Sequence, residues 1–293
     1  MPPSETTSAE RTDGWPPEFR GGPGVLLAFG LAFSVLTVAT NEAQSRLLAD
    51  GSRVVDLLGQ IPMLMLLGGV ALLALRAEGV RLHDIGVSRE NARLAVLTIF
   101  GVVIVVNVVA LGLALLTGND LSLGLYAQYV RVLDASAALV VVAAINNYLF
   151  TGPVEELAFR GYLQNKVIEL FGGRETHLRP VLGITTTAVL FASMHLPDLL
   201  LDDGLQVGGV AGSLALLAAS ALLFGAIYEL THNLVLVALL HGVGNWWPLL
   251  VDPGPGVWPN YVVVLIVYAA MVWTYRRAGL AGGSAGTGAA TGS

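Results

Sequence analysis

Three short polar clusters interrupt apolar runs in this chain. They are Glu155-Glu156-Leu157-Ala158-Phe159-Arg160, Phe191-Ala192-Ser193-Met194-His195, and His241-Gly242-Val243-Gly244-Asn245. An ionisable group at the centre of a membrane helix costs roughly 2.5–3.5 kcal/mol on insertion scales, so it is kept where it is paired or used. Glu156 and Arg160 are four apart with the acid first, which puts them on one helical face. Arg160 can neutralise that carboxylate and fix its rotamer. Glu155 points about 100° away. The cluster therefore supplies one structural acid and one available acid.

His241 and Asn245 likewise share a face and could grip one small target together. Gly242 and Gly244 beside them would allow a neighbouring helix to come close. Each cluster alone also has a plain reading: an ion pair at a helix end, a histidine satisfied at a helix end, or an interhelical hydrogen bond. Together they make a hydrolytic set. A carboxylate can take a proton from water, and a histidine can orient that water or shuttle the proton. A second histidine and an amide can stabilise an oxyanion. The same atoms could instead bind zinc through Glu155, His195 and His241, leaving one position open to water. His83, His177 and His232 read as ordinary loop or capping residues.

These groups need a scaffold, and composition indicates which. The chain has 293 residues, 55% hydrophobic and 12% charged, about half the charged share of a soluble domain. A bilayer can hide that much apolar surface, at about 20 residues per spanning helix. Apolar runs fall at 23–40, 54–75, 94–117, 135–158, 180–196, 208–229, 233–250 and 258–275. The expected fold class is all-α, a polytopic membrane helix bundle of about eight transmembrane helices. A polar N-terminal tail (1–22) precedes the bundle (23–277), and a flexible Gly/Ala/Ser tail (278–293) follows it. The first 20 residues hold four prolines and lack the apolar core of a cleavable signal peptide, so the first span is expected to act as the targeting signal. The chain contains no cysteine, which excludes disulfides, thiolate metal sites and cysteine nucleophiles. A net charge of −6 argues against a nucleic-acid partner.

Basic residues set the orientation. With both termini in the cytoplasm, 12 of the 15 Lys and Arg fall in inner segments, and only Arg46, Arg53 and Arg131 fall outside. The loop after His195 is acidic, with Asp198, Asp202 and Asp203, and Trp246, Trp247 and Trp258 flank the last outer loop. The expectation is an integral protein of the plasma membrane, admitting a peptide laterally or from the inner face. On these limits Glu155 lies near the inner face and His195 near the outer, too far apart to meet. A fourth helix running on past Arg160, or a tilted or broken fifth helix, would remove that conflict.

The order and spacing of the clusters resemble the CAAX protease and bacteriocin-processing family, the type II CAAX prenyl endopeptidases. That family has a Glu-Glu-x-x-x-Arg helix, a Phe-x-x-x-His helix and a His-x-x-x-Asn/Asp helix, in this order. Phe224-Gly225, Tyr228, Thr231 and Asn233-Leu234 also follow the pattern, and the resemblance spans about residues 135–250. It implies an intramembrane endopeptidase acting on a membrane-associated peptide or protein, prenylated or not. Glu155 would be the catalytic acid and general base, braced by Glu156 and Arg160. His195 would help activate water, and His241 with Asn245 would line the oxyanion side. The family is read both as zinc-dependent and as metal-free. Asn245 is a poor metal ligand, which favours an oxyanion role there. The alternative class is a proton-coupled transporter or channel using the same buried groups.

Overall fold

The computed structural model describes residues 15–47, 52–117, 123–127, 130–131, 137–201, 207–246, 249–251 and 257–277. Arg11, Asp202, Asp203, Trp247 and the tail 278–293 lie outside these. The described chain is a helix bundle. Its helices are α1 (Pro23–Leu47), α2 (Arg53–Ala77), α3 (Arg89–Thr117), α4 (from Ala137 to Leu170), α5 (Leu178–Met194), α6 (Leu196–Leu201), α7 (Val207–Thr231), α8 (Leu234–Asn245) and α9 (Val257–Arg277). Five stretches are long and apolar enough to cross a membrane: Pro23–Gln44, Arg53–Ala77, His83–Leu116, Ala138–Leu170 and Val207–Thr231. α5 and α8 are shorter apolar helices. Leu97, Phe100, Ile104 and Val108 on α3 are well exposed, as a lipid-facing surface requires. The protein is an integral membrane protein.

Its connections lie at two opposite ends. At one end, segment 15–22, the α2–α3 link and the α7–α8 turn meet. Arg20 N–H donates to Glu78 O, and Asn233 Nδ2 donates to Asn91 O at 3.0 Å. At the other end, Asn41 donates to Asp198 at 2.6 Å. A small antiparallel sheet completes that end, with β1 (Leu123–Ala127) between β2 (Val130–Arg131) and β3 (Leu249–Val251). Both outer strands of the sheet come from links between helices, where hydrophobic periodicity gives no strand signal.

Two helices depart from their predicted limits in ways that matter. The fourth was expected to stop at 158, but α4 continues to Leu170. The charges that seemed to end it are buried and paired: Arg160 with Glu156, and Lys166 with Glu78 and Glu169. At about 1.5 Å per residue the helix is roughly 50 Å long, so Glu155 lies near its middle. α4 is also not uniformly α-helical. It widens to a π-helix over Asn146–Thr151 and again over Leu157–Gln164. Pro153 lacks an N–H and would clash with the carbonyl four residues back. The first wide turn precedes it and absorbs that break. Such π segments recur at functional sites.

The seventh run was expected to span 233–250, but α8 ends at Asn245. Gly242 and Gly244 weaken its last turn, and Pro248 disfavours helix at the residue before it. α8 starts from a two-residue turn. His232 takes a left-handed conformation (φ 51°), and Asn233 caps the new helix by accepting from Leu236 N–H at 2.9 Å. Most of α8 is buried.

α4 and α8 touch backbone to backbone. A Cβ at Gly152 would sit 2.4 Å from the Ala238 carbonyl, and one at Gly242 would sit 2.8 Å from the Tyr148 ring. Of the two glycines expected to permit close approach, Gly242 does so. Gly244 is exposed, and the nearest atom to a Cβ there is 3.7 Å away. Gly152→Ala is therefore expected to lower stability by about 1–3 kcal/mol, as overpacking does, while Gly244→Ala changes it little. Thermal unfolding of the two variants in one detergent checks this.

Candidate active site

The π-widened middle of α4 carries the acids into the bundle. Glu156 is fully buried, and one of its oxygens, Oε1, accepts from two groups. Arg160 Nη1 donates at 2.9 Å and His241 Nδ1 at 2.6 Å. With Glu156 Oε1 accepting from both groups, the His241 proton sits on Nδ1. The other oxygen, Oε2, is buried with no hydrogen-bond partner among the described residues, which suits a buried water. Arg160 spends its second arm on the Ala221 carbonyl of α7 at 2.9 Å. Its guanidinium lies over the rings of Phe191 and Phe224, at 5.1 and 5.9 Å. Phe224 also stacks on the His241 imidazole at 5.6 Å. These two phenylalanines cover the polar core with aromatic faces that suit a cation.

Glu155 points elsewhere, as adjacent helical residues must. It is partly exposed, and its Oε2 lies 3.6 Å from His241 Nε2. That distance is too long for a direct hydrogen bond, but one water about 2.8 Å from each atom could bond to both. With Nδ1 committed to Glu156, Nε2 is the nitrogen free to face that water.

Glu155 opens into a cleft of about 570 Å³. His195 lines the same cleft. It caps the end of α5, and its Nδ1 donates to the Phe191 carbonyl at 2.9 Å, so Nε2 carries the lone pair. The extension of α4 thus removes the conflict in depth between Glu155 and His195. Asn245 ends α8 one turn beyond His241 and is half-buried. Nearby, Tyr148 on α4 donates to the Trp246 carbonyl at 2.9 Å and ties down that end of α8. Ser193 donates to the Val189 carbonyl on an exposed face, away from the cleft.

The first two helices supply cleft residues that the sequence reading did not single out. α1 contributes Thr37, Thr40, Asn41 and Gln44, and α2 contributes Asp56 and Gln60. Their spacing carried the signal: 37, 40, 41 and 44 form one helical stripe, as do 56, 60, 63, 64 and 67. Polar side chains on one stripe of an apolar span mark a water-facing wall. The cleft deepens toward Phe33, Leu67 and Phe159, which are buried or nearly so. Its rim is polar and lies at the end opposite segment 15–22.

Residues 136–247 match the family model described as Type II CAAX prenyl endopeptidase Rce1-like. That stretch is similar to the Rce1-like type II CAAX prenyl endopeptidases. No curated protein and no solved structure matches the chain. The matched residues contain all three polar clusters, and the family they resemble is one of proteases acting on membrane-associated proteins. α1 and α2 lie outside the matched residues yet build one side of the cleft.

The residues do not fit a metal ion as they stand. Among the described residues, no three His, Asp or Glu side chains gather closely enough to hold one. His241 is engaged by Glu156 on one nitrogen, and His195 belongs to a different wall of the cleft. Removing a partner from the buried pair should be costly. Arg160→Ala leaves Glu156 buried without its cation, and about 3–5 kcal/mol of stability is expected to go with it. A large fall in the unfolding midpoint, against little change for the exposed Glu175→Ala, checks this.

Proposed function

We propose that this protein is a plasma-membrane endopeptidase of the glutamate type, with Glu155 as the general base. The observation that carries the reading is the Glu155–His241 pair, in which Glu155 lines the cleft and the buried His241 beside it is held by Glu156 and, through it, Arg160. A water between Glu155 Oε2 and His241 Nε2 gives its proton to Glu155 as its oxygen attacks the scissile carbonyl carbon. Negative charge develops on the carbonyl oxygen. Asn245 lies on the oxyanion side, one turn beyond His241 on α8, and His195, whose Nε2 carries the lone pair, serves as an acceptor that orients the water. The tetrahedral intermediate then collapses. The C–N bond breaks, Glu155 returns its proton to the departing amine, and a carboxylic acid and an amine leave.

Glu156 and Arg160 do not touch the reacting atoms in this scheme. They are positioning residues that hold His241 in one tautomer and one orientation. Aromatic residues and the surrounding lipid keep bulk water from the deep end of the cleft, which strengthens each of these interactions. The scheme routes no step through a metal.

The test is cleavage of a library of lipidated and plain peptides by purified protein in lipid, read by mass spectrometry. Glu155→Ala and His241→Ala are each expected to lose about 10²–10⁴ in rate, the range for general acid–base groups. Cleavage by the wild type is expected to persist with a chelator. Variants as fast as wild type would refute the assignment of Glu155, and loss of activity with the chelator would refute the metal-free route.

A further inference from the structure

The two ends of the bundle differ in what they would offer a polypeptide. At one end, segment 15–22 is strapped across the helices. Trp15 stacks on His232 at 4.1 Å and meets Tyr228 edge-on at 5.6 Å. Beneath the strap, Gly21 N–H donates to Glu78 Oε2 at 2.6 Å, and Lys166 Nζ donates to the Gly21 carbonyl at 2.6 Å. Glu78 and Lys166 form an ion pair at 3.2 Å and are both almost wholly buried. A buried pair of this kind holds only while each charge keeps its partner, so the strap is part of the packed structure. Through Lys166 the strap is bound to the helix that carries Glu155.

The opposite end is where α1 finishes, α2 begins and α5 gives way to α6. The rim of the cleft lies here. Asp198 is exposed, and Asn41, Gln44 and Asp56 are half-buried. From this rim the polar stripes of α1 and α2 lead inward toward Glu155 and His195. An extended chain entering here meets amides and carboxylates that can bond its backbone. Chain arriving at the strapped end meets segment 15–22 and the buried Glu78–Lys166 pair beneath it.

Basic residues then assign the faces. Arg160 is a buried residue of the site, so it says nothing about sidedness. Of the other Lys and Arg among the described residues, ten lie toward the strapped end and three (Arg46, Arg53 and Arg131) toward the rim. Lys and Arg are retained on the cytoplasmic side. We infer that the Glu155 cleft is entered from the extracytoplasmic face, and that its substrate is a polypeptide presented at the outer surface of the membrane rather than a cytoplasmic prenylated C-terminus. This inference rests on the protease reading of the cleft for its substrate, but the face of access is read independently of cleavage.

The absence of native cysteine makes the test direct, because any introduced thiol is unique. Gln44→Cys and Arg46→Cys put a thiol at or beside the rim, and Glu175→Cys puts one in the exposed link at the strapped end. Cells expressing each full-length variant are treated with a membrane-impermeant maleimide, before and after permeabilisation. Labelling after detergent solubilisation confirms that each thiol is reactive. The expected result is label on a rim thiol in intact cells and label on Glu175→Cys only after permeabilisation. Label on Glu175→Cys in intact cells, or on the rim thiols only after permeabilisation, overturns the inference. If the rim labels as expected while Glu155→Ala cleaves as fast as wild type, the protease reading fails and the assigned face stands.

Discussion

A carboxylate buried at the centre of a membrane bundle must have partners, and much of this structure follows from supplying them to Glu156. One of its oxygens holds both Arg160 and His241. Arg160 needs a further acceptor and takes it from the α7 backbone. His241 can reach Glu156 only because α8 lies against α4 with no side chain between them, and that requires glycine at 152 and 242. The aromatic rings of Phe191 and Phe224 then cover the charged pair and bring α5 and α7 into the same packing unit. Four helices are thus organised by one ionic centre. Stability is a poor explanation for such a centre, since apolar packing of equal volume is often as stable. Its consequence for function is clearer: Glu155, one residue earlier, is left on the cleft wall facing a histidine that cannot turn away.

The placement of Glu155 and Glu156 also depends on how α4 is wound. A proline in the middle of a membrane helix breaks one hydrogen bond and distorts the turn before it. Here the distortion is taken up as π-helix on either side of Gly152–Glu156. The helix stays continuous from Ala137 to Leu170, and the carboxylates face the bundle interior at mid-depth. Without that extension, Glu155 and His195 would stand at opposite membrane faces.

Much of this was legible in the sequence, and the limits of that reading have physical causes. Eight apolar runs became eight helices, because hydrophobicity over some 20 residues is a strong signal. The i, i+4 spacing identified the Glu156–Arg160 pair as it stands in the structure. The end of α4 was misread because charge in a sequence looks like a helix end in water, whereas Arg160 and Lys166 are buried against acids far away in the chain or on the same helix. The short α8 was misread in the opposite direction: its apolar run continues past Asn245, but as β3. The cleft walls on α1 and α2 were available as polar stripes and were missed because those spans lie outside the family motifs. Nothing in the sequence foretold that Trp15 would stack on His232.

The central claim is that Glu156 works through His241, holding it against Glu155. The most direct measurement is a double-mutant cycle on the cleavage rate, using Glu156→Gln, His241→Ala and the combined variant on one substrate. If Glu156 acts only by positioning His241, the double variant is no slower than His241→Ala alone, because the brace has nothing left to hold. Losses that multiply, with the double variant slower by the product of the single effects, would show that the two residues act independently and would contradict the account.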